Sequence, residues 1–199
     1  GGQVSDSDDT TSSSTSTSKD STRTLAVIES DAKSVEKSVA ALQETGDKSL
    51  FNEVTKTDEN GNKTTGYDTD AIYKAVKNFT DSYNSLIDEV GNSNTKSILR
   101  AGASMVNVTE ANRKSLSDIG ISIGADNKLT IDEEKFKKTD MSKVKAMFAD
   151  SSYYGTEVKR QAGRAESYAK SEAAKANTYQ KSGSYTYNYR TGELYNSTI

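Results

Sequence analysis

The chain has 199 residues, carries a formal net charge of -3 and contains no His, Cys, Pro or Trp. Without His and Cys it lacks the usual ligands for zinc, iron and copper, the common general base near neutral pH and the most nucleophilic side chain. Hydrophobic residues make up 32%, many of them Ala and Tyr, so a desolvated pocket able to tune a carboxylate, Lys or Tyr for catalysis is hard to build. A non-enzymatic chain with no metal and no cofactor is expected.

Charge is unevenly placed. Residues 1–22 hold four aspartates against Lys19, which leaves 25 acidic and 25 basic residues in the remainder. That balance argues against a nucleic-acid partner, whose footprint is a basic excess. No run of 18 apolar residues is present, so no membrane insertion is expected. Neither a signal-peptide core nor a basic flank precedes the first expected helix, so export is expected by another route or with a signal already removed. Residues 1–22, with nine consecutive Ser/Thr from Thr10 to Ser18, offer little apolar area to offset backbone ordering and are expected to be a flexible leader.

From Leu25 the pattern changes. Leu25, Ile28, Ala32, Val35, Val39 and Leu42 follow one another at spacings of 3 and 4, the seam of a helix pressed along another helix. Gly46 is the expected stop, and Leu50, Phe51 and Val54 form a short apolar patch. Asp58 to Asn62 reads as a hairpin tip between extended pieces. Its Gly sits two places early for a calcium loop and no closing Glu follows, so a turn is expected there. Asp68, Thr69 and Asp70 are candidate caps for a second helix, whose seam is Ile72, Val76, Phe79, Tyr83, Leu86 and Val90. Two seams of matching period predict an antiparallel pair.

A third helix is expected over Lys96–Lys114, anchored by Ile98, Leu99, Met105 and Val106, with Gly102 and Ala103 permitting close approach of a neighbour. Ile119, Ile121 and Ile123 alternate as one face of a strand. A turn at Gly124–Lys128 returns the chain through Leu129–Ile131, and Asp126 and Asn127 fit that turn better than a metal site. Asp132 and Asp140 are expected to cap two short helices. A long helix from about Tyr153 to Lys181 carries an Ala/Tyr seam of Tyr154, Val158, Ala162, Ala165, Tyr168, Glu172, Ala176 and Tyr179, with Glu166–Lys170 and Glu172–Lys175 pairs on its exposed face. Eight of the 11 Tyr follow residue 150, and Tyr185, Tyr187 and Tyr189 alternate along an expected terminal strand. Tyr154, Val158, Tyr168, Tyr179, Tyr185, Tyr187 and Tyr189 are therefore the candidate interaction surface, since Tyr is enriched at interfaces. Cover for a local core is the alternative.

Ala75–Ile87, with its aromatic followed by Tyr83-Asn84, resembles a helix of the bacterial flagellar cap protein, flagellar hook-associated protein 2. Ser115–Ile121, Asn127–Phe136 and Val144–Phe148 are similar to the C-terminal half of that family in order and spacing, the resemblance covering about residues 68–150. It implies an exported helical stem with a small hairpin that supports flagellin subunits at the filament tip. The expected fold is mainly α with small β-hairpins (α+β): a leader at 1–22, a cap-like antiparallel helical stem over 23–150 with a hairpin at 117–132, and a long helix with a Tyr-rich strand over 151–199. The expected function is structural, by helix–helix association with itself as a homo-oligomer or with flagellin-like subunits, outside the cell. A cytoplasmic coiled-coil adaptor or export chaperone, and an extracellular adhesin or stalk module, are the alternatives.

Overall fold

A computed structural model describes residues 18–149 and 151–183, with side chains through Lys175. The elements run α1 (Thr22–Leu42), a 3-10 turn (Gly46–Lys48), β1 (Glu53–Thr57), β2 (Lys63–Tyr67), α2 (Thr69–Val90), α3 (Lys96–Ala111), α4 (Arg113–Asp118), β3 (Ile121–Ile123), β4 (Leu129–Ile131), α5 (Glu133–Lys138), α6 (Met141–Phe148) and α7 (Tyr153–Gly183). The architecture is mainly α with two antiparallel strand pairs, β1–β2 and β3–β4.

Local chemistry fixes the helix starts. Ser21 Oγ accepts from the Thr24 amide, and Asp68, Asp132 and Asp140 accept from the amides of Ala71, Lys135 and Ser142, each satisfying a donor that the first helical turn leaves free. Asp20, within the stretch expected to be a leader, packs on the bundle. Asp20 is buried, and its carboxylate accepts from Ser93 Oγ at 2.6 Å, the Asn94 amide at 2.6 Å and Thr95 Oγ1 at 2.8 Å. This ties the start of α1 to the loop that opens α3.

Four helices form the bundle. Gln43 bonds Thr156 at 3.1 Å, Gly163 lies against Glu36, and Lys33 reaches Glu166 at 3.9 Å. Residue numbers fall along α1 as they rise along α7, so the two helices are antiparallel. Asp20 at the start of α1 meets Ser93 just past the end of α2, which makes that pair antiparallel as well. Val90 faces Gly102 and Tyr83 faces Thr109, setting α3 against α2 in the same sense. A Cβ on Gly102 would stand 2.5 Å from Val90 Cγ1, so α2 and α3 approach as closely as they do because that position has no side chain.

One core unites these helices, and it runs across residue 150: Leu25, Val35, Ile72, Phe79, Phe148, Tyr154, Val158 and Ala165 belong to the same buried cluster. At its centre Phe79, Phe148 and Tyr154 meet edge to face, with centroids 5.1 to 6.1 Å apart, the geometry their ring quadrupoles favour.

Three expectations shift. The third helix ends at Ala111, where Asn112 turns its amide back onto the Val108 carbonyl at 2.8 Å. The chain then makes α4 through Asp118, so Leu116 is helical and β3 begins only at Ile121. Ile119 is buried, yet it caps the end of α4 rather than joining the strand. Gly120 makes the change of direction at φ +89°, where an added Cβ would press on the Phe136 amide at 3.0 Å and the Asp132 carbonyl at 3.1 Å. By contrast, the β1–β2 hairpin is largely exposed, every residue of β1 being so, and it meets the core through Tyr67 at the end of β2.

Candidate interaction surface

The two expected seams lie inside the chain. Leu25, Ile28, Val35, Val39, Leu42, Ile72, Val76, Phe79, Tyr83 and Leu86 are fully buried and Val90 nearly so. They face one another and α7, so what they bind is their own bundle.

The C-terminal candidates divide. Tyr154 and Val158 are buried in the core, which removes them from any surface offered to a partner. Tyr154 is drawn in by the aromatic cluster and by its hydroxyl, which shares a hydrogen bond with Thr109 Oγ1 at 2.9 Å; Tyr83 donates to that same Oγ1 at 2.9 Å. Burial pushes the Tyr83 phenol up to about 12 and holds the Tyr154 phenol well above its ordinary value, in each case against the lowering effect of the Thr109 hydrogen bond. Tyr168 is 37% exposed and Tyr153 is 69% exposed. Tyr185, Tyr187 and Tyr189, and the Tyr179 side chain, lie outside the described residues.

Tyr168 is left at the edge because the seam of α7 takes a different phase from the one expected. Its buried positions run Tyr154, Val158, Ala162, Ala165 and Ala169, with Ala173 half-buried. The step after Ala165 is thus four residues to a small side chain rather than three to Tyr168. Alanines let the neighbouring helices approach closely, and a Tyr in their place would hold them apart. The exposed-face pairs are also displaced: Lys170 binds Glu166 at 3.1 Å, but the Glu166 side chain is only 14% exposed, since it points toward α1.

Several telling residues escaped the periodicity. Asn84 pairs with a strand edge as a further strand would, its amide donating to the Leu129 carbonyl at 2.8 Å and accepting from the Leu129 amide at 2.7 Å. Tyr83-Asn84 is thereby a structural pair, one side chain holding α3 and the next holding β4. Phe136 is buried edge-on to Tyr73, and Lys137 bridges Asp70 at 2.9 Å and Glu133 at 2.7 Å, which docks α5 on α2. Glu36 faces α7 at Gly163, and among the described residues its buried Oε2 has no hydrogen-bond donor. Its place beside Val35 in the seam was the signal that could have marked it.

Among the described residues no group of three His, Cys, Asp or Glu side chains is arranged to hold a metal ion, and no helix is long and apolar enough to cross a membrane. The exposed remainder of the bundle is a mixed polar surface with aromatic rings at Tyr153 and Tyr168, about four turns apart along α7 and roughly 60° apart around its axis.

No curated protein and no solved structure matches the chain significantly. The family model described as the flagellar hook-associated protein 2 C-terminus matches residues 92–198, more than half of the sequence. The match takes in α3 to α7, so it continues through the C-terminal helix, beyond where the sequence resemblance was placed, and it leaves Ala75–Ile87 outside. The chain belongs to the family of the flagellar hook-associated protein 2 C-terminus.

Proposed function

We propose that this protein is a structural component of the bacterial flagellum that acts as a filament cap does, outside the cell, by helix–helix association with further copies of itself or with flagellin-type subunits. The observation that carries this is the family match from residue 92 to 198, which includes the whole of the helix that closes the bundle against α1. The geometry supports a surface on α7. Tyr153 and Tyr168 expose large rings beside a buried alanine seam, and such rings supply contact area at low entropic cost.

Two measurements test it. Filaments sheared from cells expressing the native protein should carry it, and a wholly cytoplasmic distribution would sink the flagellar assignment. Size-exclusion chromatography with light scattering should show a concentration-dependent oligomer that Tyr168→Ala weakens by tenfold or more. A strict monomer, alone and with flagellin, would remove the association.

A further inference from the structure

The contact between α1 and α7 contains an unusual pairing. Glu36 on α1 lies against Gly163 of α7, where a Cβ would stand 3.4 Å from its Oε1. Glu166, about one turn further along α7, is reached by Lys33, about one turn before Glu36 on α1, and the two carboxyls share a hydrogen bond. The two carboxyls are not equally served. Glu166 Oε2 has Lys170 at 3.1 Å and Lys33 at 3.9 Å, whereas Glu36 Oε2 is buried and receives no donor. Lys33 also holds Glu29 at 3.3 Å. The charged groups around the pair are thus Glu29 and Lys33 from α1, and Lys159 and Lys170 from α7. From α2, Glu89 acts instead on Asp31.

A carboxylate only accepts hydrogen bonds, so two facing carboxylates repel unless one keeps its proton and donates it. Glu166, with two lysines, is the member that ionises. Glu36, with an orphaned oxygen, is the member that retains the proton. We infer that the α1–α7 contact is a proton-dependent latch, closed by a Glu36–Glu166 hydrogen bond and loosened when Glu36 gives up its proton.

Burial and then the hydrogen bond and charge of Glu166 push the Glu36 carboxyl up to about 7, against the lowering influence of Lys159 and Lys170. Glu166 is held below the usual carboxylate range by its hydrogen bond with Glu36 and by Lys170 and Lys33, against burial. The folded chain therefore holds a proton that the unfolded chain releases at ordinary carboxylate pH. Stability from this source is complete below the unfolded value, declines as pH rises, and is lost through about 7. The transition falls where modest changes in surroundings act.

The test follows thermal unfolding of the whole chain by circular dichroism between pH 5.5 and 8.5, together with carbon-detected titration of the Glu36 carboxyl. The expected result is a midpoint that falls by several degrees across this range in the native protein and stays level in Glu36→Gln, whose amide donates to Glu166 at every pH. Glu166→Gln should lower the Glu36 titration, removing the charge of Glu166 and leaving the part that burial raises. A level midpoint in the native chain overturns the latch, as does an equal fall in Glu36→Gln. Should that variant not fold, the native titration decides alone: a Glu36 carboxyl that ionises below pH 5 refutes the inference.

Discussion

Thr109 is the residue on which two phenols depend. Its hydroxyl takes the Tyr83 proton and shares another hydrogen bond with Tyr154, both at 2.9 Å in the buried core. Thr109→Val keeps the shape and removes both partners, leaving Tyr83 only a long 3.4 Å contact with the Met105 carbonyl. The expected loss is about 1–3 kcal/mol by urea unfolding, shrinking toward zero when Tyr83→Phe and Tyr154→Phe are already present. The same phenols set an alkaline limit. Each keeps its proton above the ordinary value of about 10, whereas the unfolded chain gives it up. The Tyr83 contribution is intact below about pH 10 and is lost as pH rises through about 12. That of Tyr154, whose phenol burial also holds well above its ordinary value, is likewise intact below about pH 10 and lost at higher pH. Absorbance of tyrosinate should therefore show two late-titrating phenols that ionise together with unfolding, and their replacement by Phe should flatten the decline. None of this was legible in the sequence. Tyr83 was marked as a seam residue by its spacing, but a hydroxyl's partner depends on which helix arrives opposite, and Thr109 lies 26 residues away.

At the scale of the element, α7 shows how a small-residue seam works. Ala162, Ala165 and Ala169 are fully buried in the core, so Ala165→Leu has no room to fill. It should cost about 1–3 kcal/mol, read as a lower denaturation midpoint with helicity retained, whereas Ala174→Leu on the exposed side should be nearly neutral. The helices, their caps at Asp68, Asp132 and Asp140, and the hairpin turns were readable because they rest on local chemistry and on periods of 3.6 and 2. The slip to Ala169 was not. Heptad counting assigns Tyr168 to the seam, whereas the close-packed core takes the smaller residue one place on. Gly120 misled in a similar way: alternating isoleucines predict a strand from Ile119, while the left-handed turn at Gly120 confines it to Ile121–Ile123. The exposed Tyr168 was named by composition, and Tyr154 was named with it, because composition cannot tell a ring that faces a partner from one that faces its own core.

For the whole molecule, the main fact is that the segment matching the family shares its buried core with the residues before it. Residues 92–198 contain α3 and α7, but the buried face of α7 rests largely on α1, and α1 in turn on α2. A fragment of residues 92–199 should therefore be poorly helical in far-UV circular dichroism and rapidly cut by trypsin, and residues 18–91 added in trans should restore both signals. A stable, protease-resistant fragment would contradict the shared core. The antiparallel closure also has a mechanical side. The first described residues and the far end of α7 lie at one pole of the bundle, with the β1–β2 hairpin at the other. A load applied between the two ends of the chain therefore opens α1 from α7 rung by rung, as a zip opens. The same load applied between one end and the hairpin must slide whole helices past each other at once. The bundle is thus strong along its length and weak across its ends, a directional material whose resistance depends on where it is held.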